Sequence, residues 1–222
     1  MFAVIFEVVP KQERWNDYLD LAKLLRPEIE RIDGFIDNER FASRRTKGRV
    51  LSLSTWRDEK AVIRWRTLAV HHGVQEKGRF EVFEDYHLRV GEIVADSRPP
   101  AGQVLREQRF DETAAAAKLI VLADALLQGL PPEQEAGSVA ERLGKPDLAN
   151  PALMDWDVFE SIVQPGKFIL LTSWRDGAAA TGVSESEGIR HRRVRVIRDY
   201  GMFDRAEAPQ YYPPVRTVEA SG

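Results

Sequence analysis

The chain has 222 residues, no cysteine, 32 basic against 35 acidic side chains, and is 43% apolar and 30% charged. That is enough for one large or two small domains with a buried core, and it excludes disulfides, iron–sulfur clusters, cysteine-zinc sites and a cysteine nucleophile. A formal net charge of −3 with interspersed signs leaves no basic face for nucleic acid and no polybasic run for anionic lipid.

The opening Met-Phe-Ala-Val-Ile-Phe-Glu has no basic leader and meets an acid too early for a signal peptide or membrane span, so the cytoplasm is the expected compartment. Phe2 to Val9 alternates Phe2, Val4, Phe6 and Val8 with Ala3, Ile5, Glu7 and Val9, a buried first strand ended by Pro10. From Lys11 the period turns helical, with Trp15, Leu19, Ala22 and Leu25 on one stripe. Pro27 is expected to end or kink this helix, because proline lacks the donor and restricts Arg26. Asp33-Gly34 is a turn. Phe35 to Ala42 and Gly48 to Asp58 form a hairpin. Asp58 is a plausible N-cap for a helix whose apolar arc holds Ala61, Val62, Trp65, Leu68, Ala69 and His72, with Gly73 and Gly78 loosening its end. Phe80 to Val90 reads as a fourth strand. The order β-α-β-β-α-β is the ferredoxin-like split unit.

The chain then repeats itself. Gly48-Arg-Val-Leu-Ser-Leu-Ser-Thr-Trp-Arg-Asp58 returns as Gly166-Lys-Phe-Ile-Leu-Leu-Thr-Ser-Trp-Arg-Asp176, with the leading glycines and the tryptophans Trp56 and Trp174 each 118 residues apart. That period is too long for a solenoid and suits a duplicated small domain. Residues 1–95 form the first copy, 96–112 a proline-rich linker, 113–205 a worn second copy and 206–222 a tail. In the second copy, strands are expected at Lys118 to Asp124, Met154 to Val163, Phe168 to Trp174 and Arg190 to Asp199, with a helix at Pro132 to Leu143. Its second helix has shrunk most.

Gly48 to Glu59, Trp65, Gly78-Arg79-Phe80 and Phe83-Glu-Asp-Tyr86 resemble the antibiotic biosynthesis monooxygenase family, and Arg195 to Met202 resembles the end of such a domain. The resemblance implies an α+β fold in which two ferredoxin-like repeats with antiparallel sheets join as a dimeric α+β barrel, here made within one chain. It leaves open a monomeric barrel or a homodimer of duplicated chains. Physics favours closure, since each sheet has an apolar face its helices do not cover and the linker holds the copies at high effective concentration.

The resemblance further implies a cofactor-independent monooxygenase acting on an aromatic or polyketide-like small molecule between the first sheet and its second helix. His72 or Glu7 would be the base, Trp65 a stacking wall, and Phe6, Asn38 and Leu68 further lining. Each has a plainer alternative. His72 also fits a hydrogen-bonded histidine at the core edge, and Trp65 fits core packing. Glu7 interrupts an apolar strand either as a buried carboxylate able to act as a base or as a wet edge residue. Asn38 and Glu39 would supply polar lining. His71 is expected in solvent, as are His87 and the Arg190-His191-Arg192-Arg193 run. Trp56 and Trp174 read as scaffold, with Arg57 or Arg175 paired to an acid.

Haem-degrading relatives carry an Asn on the first strand and, after the tryptophan of the second helix, an iron-ligating His ten residues on. Trp65 matches, but Gln75 stands at the second position and Phe6 or Glu7 near the first. No glycine-rich phosphate loop, Gly-x-Ser-x-Gly elbow, His-Glu-x-x-His or metal-ligand spacing occurs, so neither cofactor nor metal is expected, with haem the alternative. A non-catalytic, stress-related binding protein is the other class that this sequence accommodates.

Overall fold

A computed structural model describes residues 1–127, 129, 135–177 and 188–210. Among the described residues eight strands close one barrel. The first copy supplies β1 (Phe2–Pro10), β2 (Phe35–Ser43), β3 (Val50–Trp56) and β4 (Phe83–Asp96), and the second supplies β5 (Leu119–Leu126), β6 (Leu153–Ser161), β7 (Lys167–Trp174) and β8 (Arg190–Gly201). Hydrogen bonding runs β1-β3-β2-β6-β7-β5-β8-β4 and back to β1. Each copy is therefore a four-stranded antiparallel sheet of the same internal order. The sheets join along a long β4–β8 ladder and a short β2–β6 ladder, where Phe41, Ala42 and Ser43 face Ser161, Glu160 and Phe159. The intramolecular α+β barrel expected from the duplication is the architecture observed.

Alternation in the strands decides what fills the barrel. Ala3 and Ile5 point inward with Leu51, Leu53, Ile120, Leu122, Ile169 and Leu171, so both sheets contribute to one apolar centre. The other face of the first sheet carries α1 (Trp15–Glu30), α2 (Glu59–Thr67) and α3 (Ala69–Lys77), and the second sheet carries α4 (Ala136–Arg142). Matched tryptophans seal both copies. Trp56 donates its indole N–H to Ser54 Oγ and Trp174 to Thr172 Oγ1, both at 2.9 Å, and both rings are buried. Truncating either to alanine would cost about 3–5 kcal/mol. Gly48 and Gly166, at φ +84° and +80°, make the two equivalent hairpin turns in the left-handed region that β-carbons disfavour.

Four expectations need correction. The first helix does not stop at Pro27; it continues to Glu30, because Ile29 is buried against the Trp56 cluster and packing there outweighs one missing donor. The second helix is two helices, broken at Leu68, whose ψ of 126° is extended. Gly78 does not fray the chain but opens a π-helical turn, Gly78–Val82, so the fourth strand begins at Phe83 rather than Phe80 and Phe80 is exposed. The Arg190–Arg193 run is not wholly exposed. His191 and Arg192 are buried, and Arg190 and Arg192 pair with Asp96 and Asp124 at 2.7 and 2.6 Å. Part of the Pro132 to Leu143 helix expectation falls outside the described residues, as does residue 211 onward of the tail.

Candidate active site

The strand register lays out the floor of a cavity on the helix-covered face of the first sheet. In one row Arg40 is beside Ser52, Ser52 beside Phe6 and Phe6 beside Leu88; in the next, Asn38, Ser54, Val4 and Val90 follow in the same order. The floor is thus polar over β2 and β3 and apolar over β1 and β4. Above it stand Tyr18, Leu21, Ala22 and Leu25 of α1, Val62 and Trp65 of α2, and His71, His72 and Gln75 of α3. The space between floor and roof is about 820 Å³, within the range of small-molecule sites.

Local causes position the roof. Asp58 caps α2 by accepting the Ala61 N–H at 2.9 Å, as its place before an apolar arc suggested. Arg57 grips Asp33 through two bonds of 2.9 and 2.8 Å, fixing the turn before β2 to the end of β3. Gly78 is needed for close approach: a β-carbon there would lie 2.5 Å from the Phe83 ring, which packs with Phe6, Tyr18 and Tyr86 under the cavity. The segment 205–210 closes one side. Glu207 pins it by accepting from Thr113 Oγ1, Ala114 N and Asp199 N, while Arg205 donates to the Tyr86 hydroxyl at 2.6 Å.

The break at Leu68 brings His71 into the site instead of leaving it in solvent. Its imidazole lies on the Trp65 indole, 4.0 Å between centroids and 16° from parallel, and its Nδ1 is 2.9 Å from the Trp65 carbonyl oxygen. A carbonyl only accepts, so Nδ1 carries the proton and Nε2 is the acceptor of a neutral ring. Burial pushes its pKa down to about 4, opposed in part by the Trp65 carbonyl, so the ring stays neutral near pH 7. Burial also raises Tyr18, against the pull of the Arg40 guanidinium, and lifts Tyr200 to about 12.

His72, Trp65, Asn38 and Phe6 all line the cavity. Asn38 donates to Ser52 Oγ and the Leu53 carbonyl, both at 3.1 Å. Leu68 is in the packing around Trp65 and not in the lining. Glu7 is not at this site. It lies on the opposite face of β1, inside the barrel, where it pairs with Arg89 and stands 3.6 Å from Arg49. Glu39 likewise faces away and binds Lys167 and Ser161. Tyr18, Arg40 and the 205–210 segment went unnoticed in the sequence. Only Arg40 had a signal there: a charge in the row whose counterpart in the second copy is Val158.

Among the described residues, the second copy has no matching space. Val139, Ala140 and Leu143 of α4 pack directly on Val158, Phe168 and Leu170. No described helix is long and apolar enough to cross a membrane.

A closed barrel of two fused ferredoxin-like halves, with a small-molecule cavity under the helices of one, defines a single-chain dimeric α+β barrel protein. Residues 1–77 match the family model described as antibiotic biosynthesis monooxygenase. The jasmonate monooxygenase ABM of Pyricularia oryzae is 44% identical over 218 residues, covering 96% of this chain and 99% of that protein. The uncharacterised protein YqjZ of Bacillus subtilis is 32% identical over 92 residues, covering 41% of this chain and 78% of its own length. Among solved structures, aldoxime dehydratase bound to butyraldoxime gives a TM-score of 0.55 over 88% of this chain and 79% of that one, at 9% identity, a likeness of fold alone. The chain belongs to the antibiotic biosynthesis monooxygenase family.

Proposed function

We propose that this protein is a monooxygenase that binds a small substrate of the jasmonate class in the cavity beneath α2 and α3 and places one atom of dioxygen on it. The observation that carries the reading is the 820 Å³ cavity itself, half apolar and half polar in its floor, in a chain alike over nearly its whole length to a jasmonate monooxygenase. The hydrocarbon part would lie over Val4, Phe6 and Leu88, with Trp65 as one wall, and the helices and the 205–210 segment would keep water out. His71 is a neutral ring near pH 7 with Nε2 as its acceptor, and His72 is the second imidazole of the lining, which would take a proton from the substrate. Glu7 has no part, being held inside the barrel.

Electron balance shapes the assay. A substrate carbon oxidised to a carbonyl supplies all four electrons that reduce dioxygen to one product oxygen and one water, as the cofactor-independent reading requires. Simple hydroxylation takes two of those electrons from a reductant. Purified protein incubated with jasmonate under labelled dioxygen, with and without NADPH, should yield product carrying a single labelled oxygen. Unlabelled jasmonate under both conditions would refute the reading. Haem has less support, because Gln75 stands where the family's iron ligand would be and His71 Nδ1 is engaged by Trp65. A Soret shift on adding hemin that disappears in His72→Ala would favour haem instead.

A further inference from the structure

Of the six charged residues lining the cavity, five are arginines (Arg26, Arg40, Arg66, Arg79 and Arg205) and one is an acid, Glu76, in a chain whose net charge is negative. Four of the five are engaged. Arg26 bonds Glu30, Arg66 the Gln210 carbonyl and Arg205 the Tyr86 hydroxyl, while Arg79 lies over Phe80. Arg40 is different. It is the one that rises from the sheet floor, its Nε is buried without a hydrogen-bond partner, and it enters no ion pair among the described residues. The Tyr18 hydroxyl facing it, on a residue only 5% exposed, also has no partner. The phenol oxygen can accept from the guanidinium, but the Arg40 Nε–H and the Tyr18 O–H are left without an acceptor. Buried donors left this way are costly, and a guanidinium more so than a hydroxyl.

The second copy shows what the fold itself wants at these positions. Arg40 pairs in register with Ser52 across β2 and β3, and the equivalent pair across β6 and β7 is Val158 with Leu170. Those apolar residues pack in one buried cluster with Val139, Ala140 and Leu143 of α4. The barrel therefore does not need a guanidinium there, and folding alone gives no reason for one.

We propose that Arg40, Tyr18 and Ser52 form a carboxylate-binding site that orients the substrate, its acid head over β2 and β3 and its hydrocarbon over Val4, Phe6 and Leu88. One guanidinium neutralises one carboxylate and meets its two oxygens with parallel N–H bonds, Tyr18 donates its O–H to one of them, and Ser52, whose oxygen already accepts from Asn38, has its own proton to give. The reacting carbon is then the one at the far end, near Trp65 and the imidazoles. This inference rests on the reading of the cavity as the substrate site, and equilibrium binding separates the two.

The test follows quenching of the cavity tryptophan fluorescence on titration with jasmonic acid and, separately, with its methyl ester. Wild-type protein should bind the acid at least about tenfold more tightly than the ester, and Arg40→Gln should erase that preference by weakening the acid alone, with Arg40→Lys in between. Arg40→Val, which copies the second half, should melt at or above the wild-type temperature. Equal binding of acid and ester to wild type, equal weakening of both in Arg40→Gln, or a fall in melting temperature in Arg40→Val would each overturn the proposal. Arg40-dependent acid binding without labelled product would leave the anchor standing and remove the monooxygenase reading. Labelled product from acid and ester at equal KM would do the reverse.

Discussion

His71 offers a quantitative check on the roof of the cavity. Its pKa in the folded chain is about 4, against 6.5 for a free imidazole, because burial of the ring against Trp65 disfavours the charged form by more than the Trp65 carbonyl at Nδ1 favours it. Protonation is thus disfavoured in the folded state and not in the unfolded one. The stabilising term is fully present above pH 6.5 and is lost as pH falls towards 4, where the folded ring finally titrates. For that pair of values the loss is about 2 kcal/mol at pH 5 and about 3 kcal/mol at pH 4, most of it accumulating at about 1.4 kcal/mol per pH unit. Replacing His71 by Phe keeps an aromatic ring on Trp65 and removes the titration. It also removes one of the two donors to the Trp65 carbonyl, leaving the Leu68 N–H at 3.3 Å, a pH-independent offset of about 1 kcal/mol. Urea unfolding of both proteins at pH 7, 6 and 5 measures the difference directly. The wild type should lose about 2 kcal/mol more than His71→Phe between pH 7 and 5. Parallel pH profiles for the two proteins would refute the buried, carbonyl-bonded placement of the imidazole.

Three further outcomes are expected. Glu7→Ala should destabilise by about 3–5 kcal/mol, because it strands Arg89 inside the barrel and removes a partner of Arg49, while protein that remains folded keeps its turnover number; loss of turnover at unchanged melting temperature would return Glu7 to the site. Gly78→Ala should lower stability by about 1–3 kcal/mol, although alanine is the better helix former, because its β-carbon meets the Phe83 ring at 2.5 Å; a rise in melting temperature would contradict that contact. Glu207→Gln should raise proteolytic cleavage near residues 205–210 and loosen substrate binding, since three donors converge on that carboxylate; unchanged cleavage would separate the segment from the cavity's closure.

Much of the architecture was readable because duplication writes the same alternation twice, and the matched glycines and tryptophans fix both the period and the register. The hairpin, the capping Asp58 and the Arg57 grip were equally local and equally legible. Other features depended on long-range packing. Nothing in Thr67-Leu68-Ala69 marks a helix break, since no proline or glycine stands there, so a single wheel put His71 on the wrong side. Pro27 carries a strong local signal that the burial of Ile29 overrides. Glu7 shows a different failure. Strand alternation already puts it on the face opposite Phe6, so both could not line one cavity, but with both faces apolar the sequence did not say which one the helices cover. Tyr18 and the 205–210 segment are brought to the site only by tertiary packing.

The most direct measurement is initial oxygen uptake with jasmonate by wild-type protein and by Ala22→Trp, which fills the cavity from α1 without touching the barrel interior. Jasmonate-dependent uptake in the wild type, reduced to background in a variant that melts at a similar temperature, is the expected result. Equal uptake by the two proteins would contradict the assignment of the chemistry to the space beneath α2 and α3.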